Sequence, residues 1–272
     1  MTPVGSAAQV FDAIGGVKSS ASAFCTNFFP VQKKLESWIE HGELFADIQS
    51  GAAFFFRQDR DLWHLYFSAS DAGTLQQQAG TLNELRDLPV TTDLVGNESA
   101  LATVIGALEP VGFRRYGQLQ RMARIAQPTT GEPVASEIIF GDRTDVGAVV
   151  SLLESAFNRF ADQLPTAYEI EAALADRQIL VIKSAGTLAA MLYFETQGLS
   201  STLRYWAVAE PFRLQRLGAA LMRRYFDSHA SVRRFILWVA SANRNAVAKY
   251  EHYGYKADGL IDHILANKMI PA

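Results

Sequence analysis

Two clusters toward the C-terminal end of the sequence combine residue types able to do chemistry. In the first, Arg213-Leu214-Gln215-Arg216-Leu217-Gly218-Ala219-Ala220, two arginines precede small residues at the opening of an amphipathic stretch. A helix starting there presents unpaired backbone N–H groups and the positive end of its dipole, a ready seat for a pyrophosphate. Gly218 and Ala219 let a ligand approach that first turn closely, while Arg213 and Arg216 add charge. In the second cluster, Asn243-Arg244-Asn245-Ala246-Val247-Ala248-Lys249-Tyr250, a tyrosine follows an asparagine by seven residues. Upstream of both, Tyr205-Trp206-Ala207-Val208-Ala209 reads as a strand that feeds the first turn through Glu210-Pro211. If its neighbour diverges, the main-chain groups of Trp206, Ala207 and Val208 can pair with an amide-bearing ligand as an added strand would. Amides at one end and a pyrophosphate at the other describe coenzyme A, and the chemistry such a set supports is acyl transfer.

These residues need elements to position them. Residues 126–136 form a polar Pro/Gly/Thr-rich stretch suited to a linker, so the chain reads as two domains, 1–130 and 136–272. In the second, the pattern predicts a strand at 137–140 and a helix capped by Asp142 or Thr144 with an apolar stripe of Val146, Val149, Val150, Leu153 and Phe157. A helix at 167–175 follows, then strands at 179–183, 188–195 and 202–209 spaced for an antiparallel meander. The remainder reads as a helix at 217–228, a buried strand at 234–240, a helix at 243–253 ended by Gly254, and a strand pair at 256–260 and 264–268. The N-terminal half echoes that order: paired strands at 51–56 and 61–67, a helix at 71–85, a strand at 89–94 and a helix at 98–108. A duplicated fold accounts for this; two unrelated α/β halves are the alternative. Either way the class is α/β (α+β), each domain a mixed, mostly antiparallel sheet flanked by helices.

Residues 137–268 resemble the GNAT superfamily of N-acetyltransferases. Of that family's phosphate-binding motif, Gln/Arg-x-x-Gly-x-Gly/Ala, Arg213 and Gly218 match the outer positions, and Arg216 replaces the first glycine. A second motif, Asn-x-x-Ala-x-x-x-Tyr-x-x-x-Gly-Phe, is matched by Asn243, Ala246, Tyr250, Gly254 and, with Tyr for Phe, Tyr255. The resemblance implies acetyl-CoA as acyl donor, held by Trp206, Ala207, Val208, the run Arg213, Leu214, Gln215, Arg216, Leu217, Gly218, Ala219, and Asn243 at the pantetheine arm. It also implies Tyr250 as general acid to the leaving thiolate, a role that suits a phenol whose ordinary pKa is about 10. Where some members carry a glutamate before the asparagine, this chain has Trp238, so Glu195 and Glu210 are the substitute carboxylates. A backbone N–H near Val208 is the expected oxyanion donor, and residues 157–165 the expected substrate wall. In the N-terminal half Asp71 stands where a pyrophosphate would lie, and Asn97 has no tyrosine partner, so that repeat reads as degenerate and noncatalytic.

Composition narrows the rest. With 49% hydrophobic and 19% charged residues the chain is ordinary globular protein, and a net charge of −3 gives no footprint for nucleic acid or an anionic membrane. One cysteine, Cys25, suits a reducing cytoplasm and a core position. No signal-peptide pattern or membrane-length apolar run appears. The five histidines, among them His64 in an aromatic strand, show no ligand spacing, so no metal is expected. The expected partner is a small-molecule or peptide amine; small amine, amino acid, antibiotic and protein N-terminus all fit, and an oligomer is compatible. Arg216 and Trp238 keep a second reading open, a non-catalytic acyl-CoA-binding regulatory module, and paired domains of this kind a third, an aminoacyl-tRNA-dependent transferase.

Overall fold

A computed structural model describes residues 1–126, 137–229 and 231–271. The linker read at 126–136 therefore lies, from residue 127 on, outside the described residues. The chain forms two compact units, Met1–Leu119 with Gly259–Ala272, and Gln120–Asp258.

The first unit contains β1 (Thr2–Pro3), α1 (Ala7–Ser19), β2 (Cys25–Thr26), α2 (Gln32–Glu40), β3 (Leu44–Gln49), β4 (Ala52–Asp59) and β5 (Leu62–Ala69). It continues with α3 (Ala72–Ala79), α4 (Glu84–Asp87), β6 (Val90–Gly96), α5 (Glu98–Leu108) and the start of β7 (Arg114–Ile125). Strands lie in the order β1-β3-β4-β5-β6, antiparallel except for the β5–β6 pair. Phe54, Phe55 and Phe56 are all fully buried because the sheet is covered on both faces. Phe54 and Phe56 join a core with α3 and α5, and Phe55 the opposite core, where Val10 and Val17 of α1 meet Leu35 and Trp38 of α2. That second layer is absent from the sequence reading. Gly15 and Gly16 weaken the helical pattern of α1, and α2 begins without a side-chain cap. The helix expected at 71–85 is instead two, ending first at Gly80. His64 is buried, its Nδ1 3.1 Å from the Thr91 hydroxyl.

The second unit contains β8 (Ile139–Phe140), α6 (Val146–Ala156), α7 (Ala167–Ala175), β9 (Ile179–Ser184), β10 (Thr187–Gln197) and β11 (Ser200–Val208). After these come α8 (Leu217–Asp227), β12 (Arg234–Ala240), α9 (Arg244–His252) and the start of β13 (Lys256–Ala266). β9, β10 and β11 form the expected antiparallel meander, and β11 pairs in parallel with β12. Apolar residues of α6 and α7 pack on one face of this sheet and those of α8 on the other.

The strand pair expected at 256–260 and 264–268 is a single strand, β13, running straight through Gly259 at φ +89°. Ile261, Asp262 and His263 pair with Gly96, Val95 and Leu94 of β6, so the chain stays extended there instead of reversing. From Gly259 onward β13 belongs to the first unit, where Ile261 to Ala266 pair antiparallel with Gly96 to Thr91 of β6. Likewise β7 leaves the first unit after Leu119. The structural division thus differs from the 1–130 and 136–272 boundaries read from sequence, because the end of β7 from Gln120 belongs to the second unit and the end of β13 from Gly259 to the first.

Candidate functional site

The second unit's cleft starts where two parallel strands part. β11 pairs with β12 only from Ser200↔Arg234 to Leu203↔Leu237. Beyond that point β11 keeps its other edge on β10, with Trp206 opposite Leu192 and Val208 opposite Ala190. The edge facing β12 is open along Arg204 to Val208, so Trp206, Ala207 and Val208 lie on the unpaired stretch that the sequence required.

The half-buried Trp206 ring organises what surrounds this edge. It lies so close to Gly218 that an added Cβ would sit 2.9 Å from its Cζ2 and 3.1 Å from its Nε1. Only glycine allows the first turn of α8 this near to β11. Tyr250 of α9 and Tyr253 at its C-cap pack on the same indole, with ring centroids 5.7 Å and 6.0 Å away. One aromatic side chain thereby gathers the open strand, the start of α8 and Tyr250.

Between β11 and α8 the chain turns through Glu210–Phe212 and then Arg213 to Arg216. Leu214 and Arg216 hold left-handed backbone angles, φ +70° and +59°. For side-chain-bearing residues such angles cost on the order of 1–3 kcal/mol and persist only where the surroundings impose them. Arg216 stands where the motif of the resembled family has glycine, and its backbone adopts the left-handed conformation that glycine favours. Its guanidinium is exposed and has no carboxylate partner among the described residues. No side chain caps the N-terminus of α8. Arg213 lies 4.0 Å from Glu210, Leu214 is wholly exposed, Gln215 and Ala219 are exposed, and Leu217 is half-buried.

Tyr250 is half-buried, with Tyr255 edge-on at 5.9 Å. Burial pushes its phenol pKa well above the ordinary value, and its hydroxyl has no protein partner among the described residues. Asn243 caps α9: its Oδ1 accepts the Ala246 N–H at 3.0 Å. Asn243→Ala should therefore cost about 1 kcal/mol of stability, read as a shifted urea midpoint, and Asn243→Asp should restore it. Gly254, at φ +82°, ends the helix in the left-handed conformation that the C-cap reading requires.

The two candidate carboxylates lie apart from this cluster in their bonding. Glu195 accepts the Tyr193 hydroxyl at 3.0 Å and faces Arg204 at 3.9 Å. Glu210 is strongly exposed, and among the described residues its one ion-pair partner is Arg213. No hydrogen bond or ion pair joins either to Tyr250 among the described residues. Trp238, at the position of the missing glutamate, is half-buried beneath the Arg121 guanidinium at 6.0 Å.

A third acid, Asp162, was not singled out by sequence. Burial raises its pKa, and its Oδ2 accepts the Asn158 N–H at 3.0 Å. The Tyr205 hydroxyl donates to the main-chain oxygens of Asp162 and Gln163 at 2.8 and 3.0 Å, and the Phe157 ring packs edge-on against Tyr205 at 5.2 Å. The α6–α7 connection is thus tied to β11 one residue before Trp206. No local pattern announces contacts between residues 43 positions apart.

This geometry agrees with comparison to known proteins: residues 148–255 match the acetyltransferase (GNAT) family. A tandem GNAT protein from the clavulanic acid biosynthesis pathway superposes with a TM-score of 0.62 at 13% identity, covering 100% of this chain and 98% of that one. A GCN5-related N-acetyltransferase from Sphaerobacter thermophilus gives 0.58 at 14% identity, covering 87% and 86%, and one from Kribbella flavida 0.56 at 13%, covering 86% and 93%. At such identities the likeness is one of fold: two GNAT-like α/β domains in one chain. No curated protein matches the sequence. Among the described residues no helix is long and apolar enough to cross a membrane, and no group of side chains suits a metal ion.

Proposed function

We propose that the second unit is an N-acetyltransferase that takes acetyl-CoA as donor and a primary amine as acceptor. The observation carrying this reading is the open edge of β11 meeting the uncapped start of α8 over the Trp206–Gly218–Tyr250 cluster. Main-chain groups of Trp206 to Val208 pair with the pantetheine amides. The first turn of α8, with Gly218 and Ala219 leaving room and Arg213 and Arg216 adding charge, takes the diphosphate. Leu214, Gln215 and Leu217 shape that turn, and Asn243 orders the start of α9 beside the arm.

In the reaction a neutral amine attacks the thioester carbonyl, the C–S bond breaks, and the thiolate leaves. The Val208 N–H, on the open stretch of β11, stabilises charge growing on the carbonyl oxygen. Tyr250 donates its hydroxyl proton to the sulfur. Because burial holds that phenol above its usual pKa, the donor form persists as pH rises through the ordinary tyrosine range near 10. The pH profile of kcat should accordingly show no fall near pH 10 that Tyr250→Phe removes; such a fall would identify Tyr250 as the donor but place its phenol in the ordinary range, against the effect of burial. The one proton the amine loses passes through water, for which Glu195 and Glu210 are the candidate acceptors, and solvent returns a proton to Tyr250. Direct transfer within one complex needs no acyl-enzyme.

The test is calorimetry with acetyl-CoA together with a thiol-release assay over a panel of amines. Binding with release supports transfer. Trp238, with no carboxylate in its place, motivates the second reading, a non-catalytic acyl-CoA-binding module, and binding without release from any amine would favour it.

A further inference from the structure

We infer that the first unit is its own ligand: residues 25–28 and Asp71 occupy the strand edge and helix start that correspond to the donor site of the second unit, so the chain binds one acyl-CoA. This rests on the proposed donor site above.

The two units part their strands alike. In the first, β5 and β6 pair in parallel only at Trp63↔Val90 and His64↔Thr91. Phe67 lies three residues past the last pair, His64, as Trp206 lies three past Leu203. In the second unit that edge is open. In the first it is filled.

Asn27 does the work of a strand-edge ligand. Its main-chain N–H donates to Phe67 O at 3.3 Å, and its Oδ1 accepts the Phe67 N–H at 2.7 Å. Its Nδ2 donates to Leu65 O on one side of the gap, and to Thr92 Oγ1 and Asp93 O on the other, at 3.2, 2.8 and 3.0 Å. Just before it, Cys25 and Thr26 pair antiparallel with Ala69 and Ser68, and the Thr26 hydroxyl donates to Phe67 O at 2.7 Å. Just after it, the buried Phe28 ring stacks on Tyr66 at 4.7 Å and touches Phe55 at 5.1 Å, which anchors the segment in the core. The donors and acceptors that an incoming amide chain would need are already taken, and displacing Asn27 would orphan groups on both strands.

The anion seat is filled as well. At the start of α3, Asp71 Oδ1 accepts the Thr74 N–H at 2.8 Å and Oδ2 accepts the Thr74 hydroxyl at 2.9 Å. These bonds hold its carboxyl below the usual range, so it stays ionised and repels a phosphate from that turn. The second unit offers the contrast: α8 has no side-chain cap and arginines in the turn before it.

Two measurements on the full chain decide this. Calorimetry with acetyl-CoA should give one equivalent for the wild type and none for Arg213→Glu/Arg216→Glu. Two equivalents, or one that survives in that variant, overturns the inference. Amide exchange tests the plug without any ligand: the Phe67 N–H should exchange slowly in the unliganded wild type and about tenfold or more faster in Asn27→Ala. If that variant does not fold, protection of Phe67 relative to an unstructured peptide serves instead. An unprotected Phe67 amide refutes the plug even if one equivalent binds. A wild type that binds no acetyl-CoA defeats the donor-site proposal, and the Phe67 exchange rate then still decides whether the first unit is closed.

Discussion

Tyr250→Phe should lower kcat for acetyl transfer about 10²- to 10⁴-fold while leaving the affinity for acetyl-CoA unchanged, the first read by thiol release and the second by calorimetry. The separation of the two effects follows from how the side chain is held. Its ring is fixed by Trp206 and Tyr255, contacts that phenylalanine reproduces. Its hydroxyl has no protein partner among the described residues, so removal orphans nothing and costs the fold little. What disappears is the O–H proposed to protonate the thiolate. A loss of affinity equal to the loss of rate would mean that the hydroxyl only binds, and an unchanged kcat would take Tyr250 out of the chemistry.

The second large effect is expected at Gly218. Gly218→Val places a Cβ 2.9 Å from the Trp206 ring, and that ring is backed by Tyr250 and Tyr253 and cannot swing aside freely. Either the indole tilts or α8 withdraws. Overpacking of this kind costs about 1–3 kcal/mol, visible in urea unfolding. Both movements also disturb the turn proposed to hold the diphosphate, so affinity for acetyl-CoA should fall about tenfold or more, about 1.4 kcal/mol or greater. Gly218→Ala, with the same Cβ and no branches, should show a smaller version of both. Destabilisation with unaltered affinity would make Gly218 a packing residue alone.

Much of the C-terminal half was legible because its signals are local. The helix at 167–175 and the strand at 234–240 coincide with α7 and β12, and the glycine ending α9 is where the pattern places it. Capping residues, apolar periodicity and turn glycines act over a few residues, within reach of a sequence window. Signals were weaker in the N-terminal layer, where α1 carries two glycines and α2 lacks a side-chain cap. Those helices are held by burial against Phe55 and Tyr66 rather than by intrinsic preference. Asp162 went unnoticed for the same reason, since its burial depends on the packing of the α6–α7 connection around it.

By itself, then, the order of residues determined the helix start after Pro211, the asparagine-to-glycine helix that carries Tyr250, and the alternation of elements that marks two similar halves. Tertiary structure alone decided that Arg216 takes a left-handed backbone, that Trp206 gathers Gly218 and Tyr250, and that the last residues of β13 pair with β6. It also decided that Asn27 fills the gap beside Phe67. Each of these depends on contacts between segments far apart in the chain, where the free energy of burial and pairing overrides local preference and no short pattern records the partner.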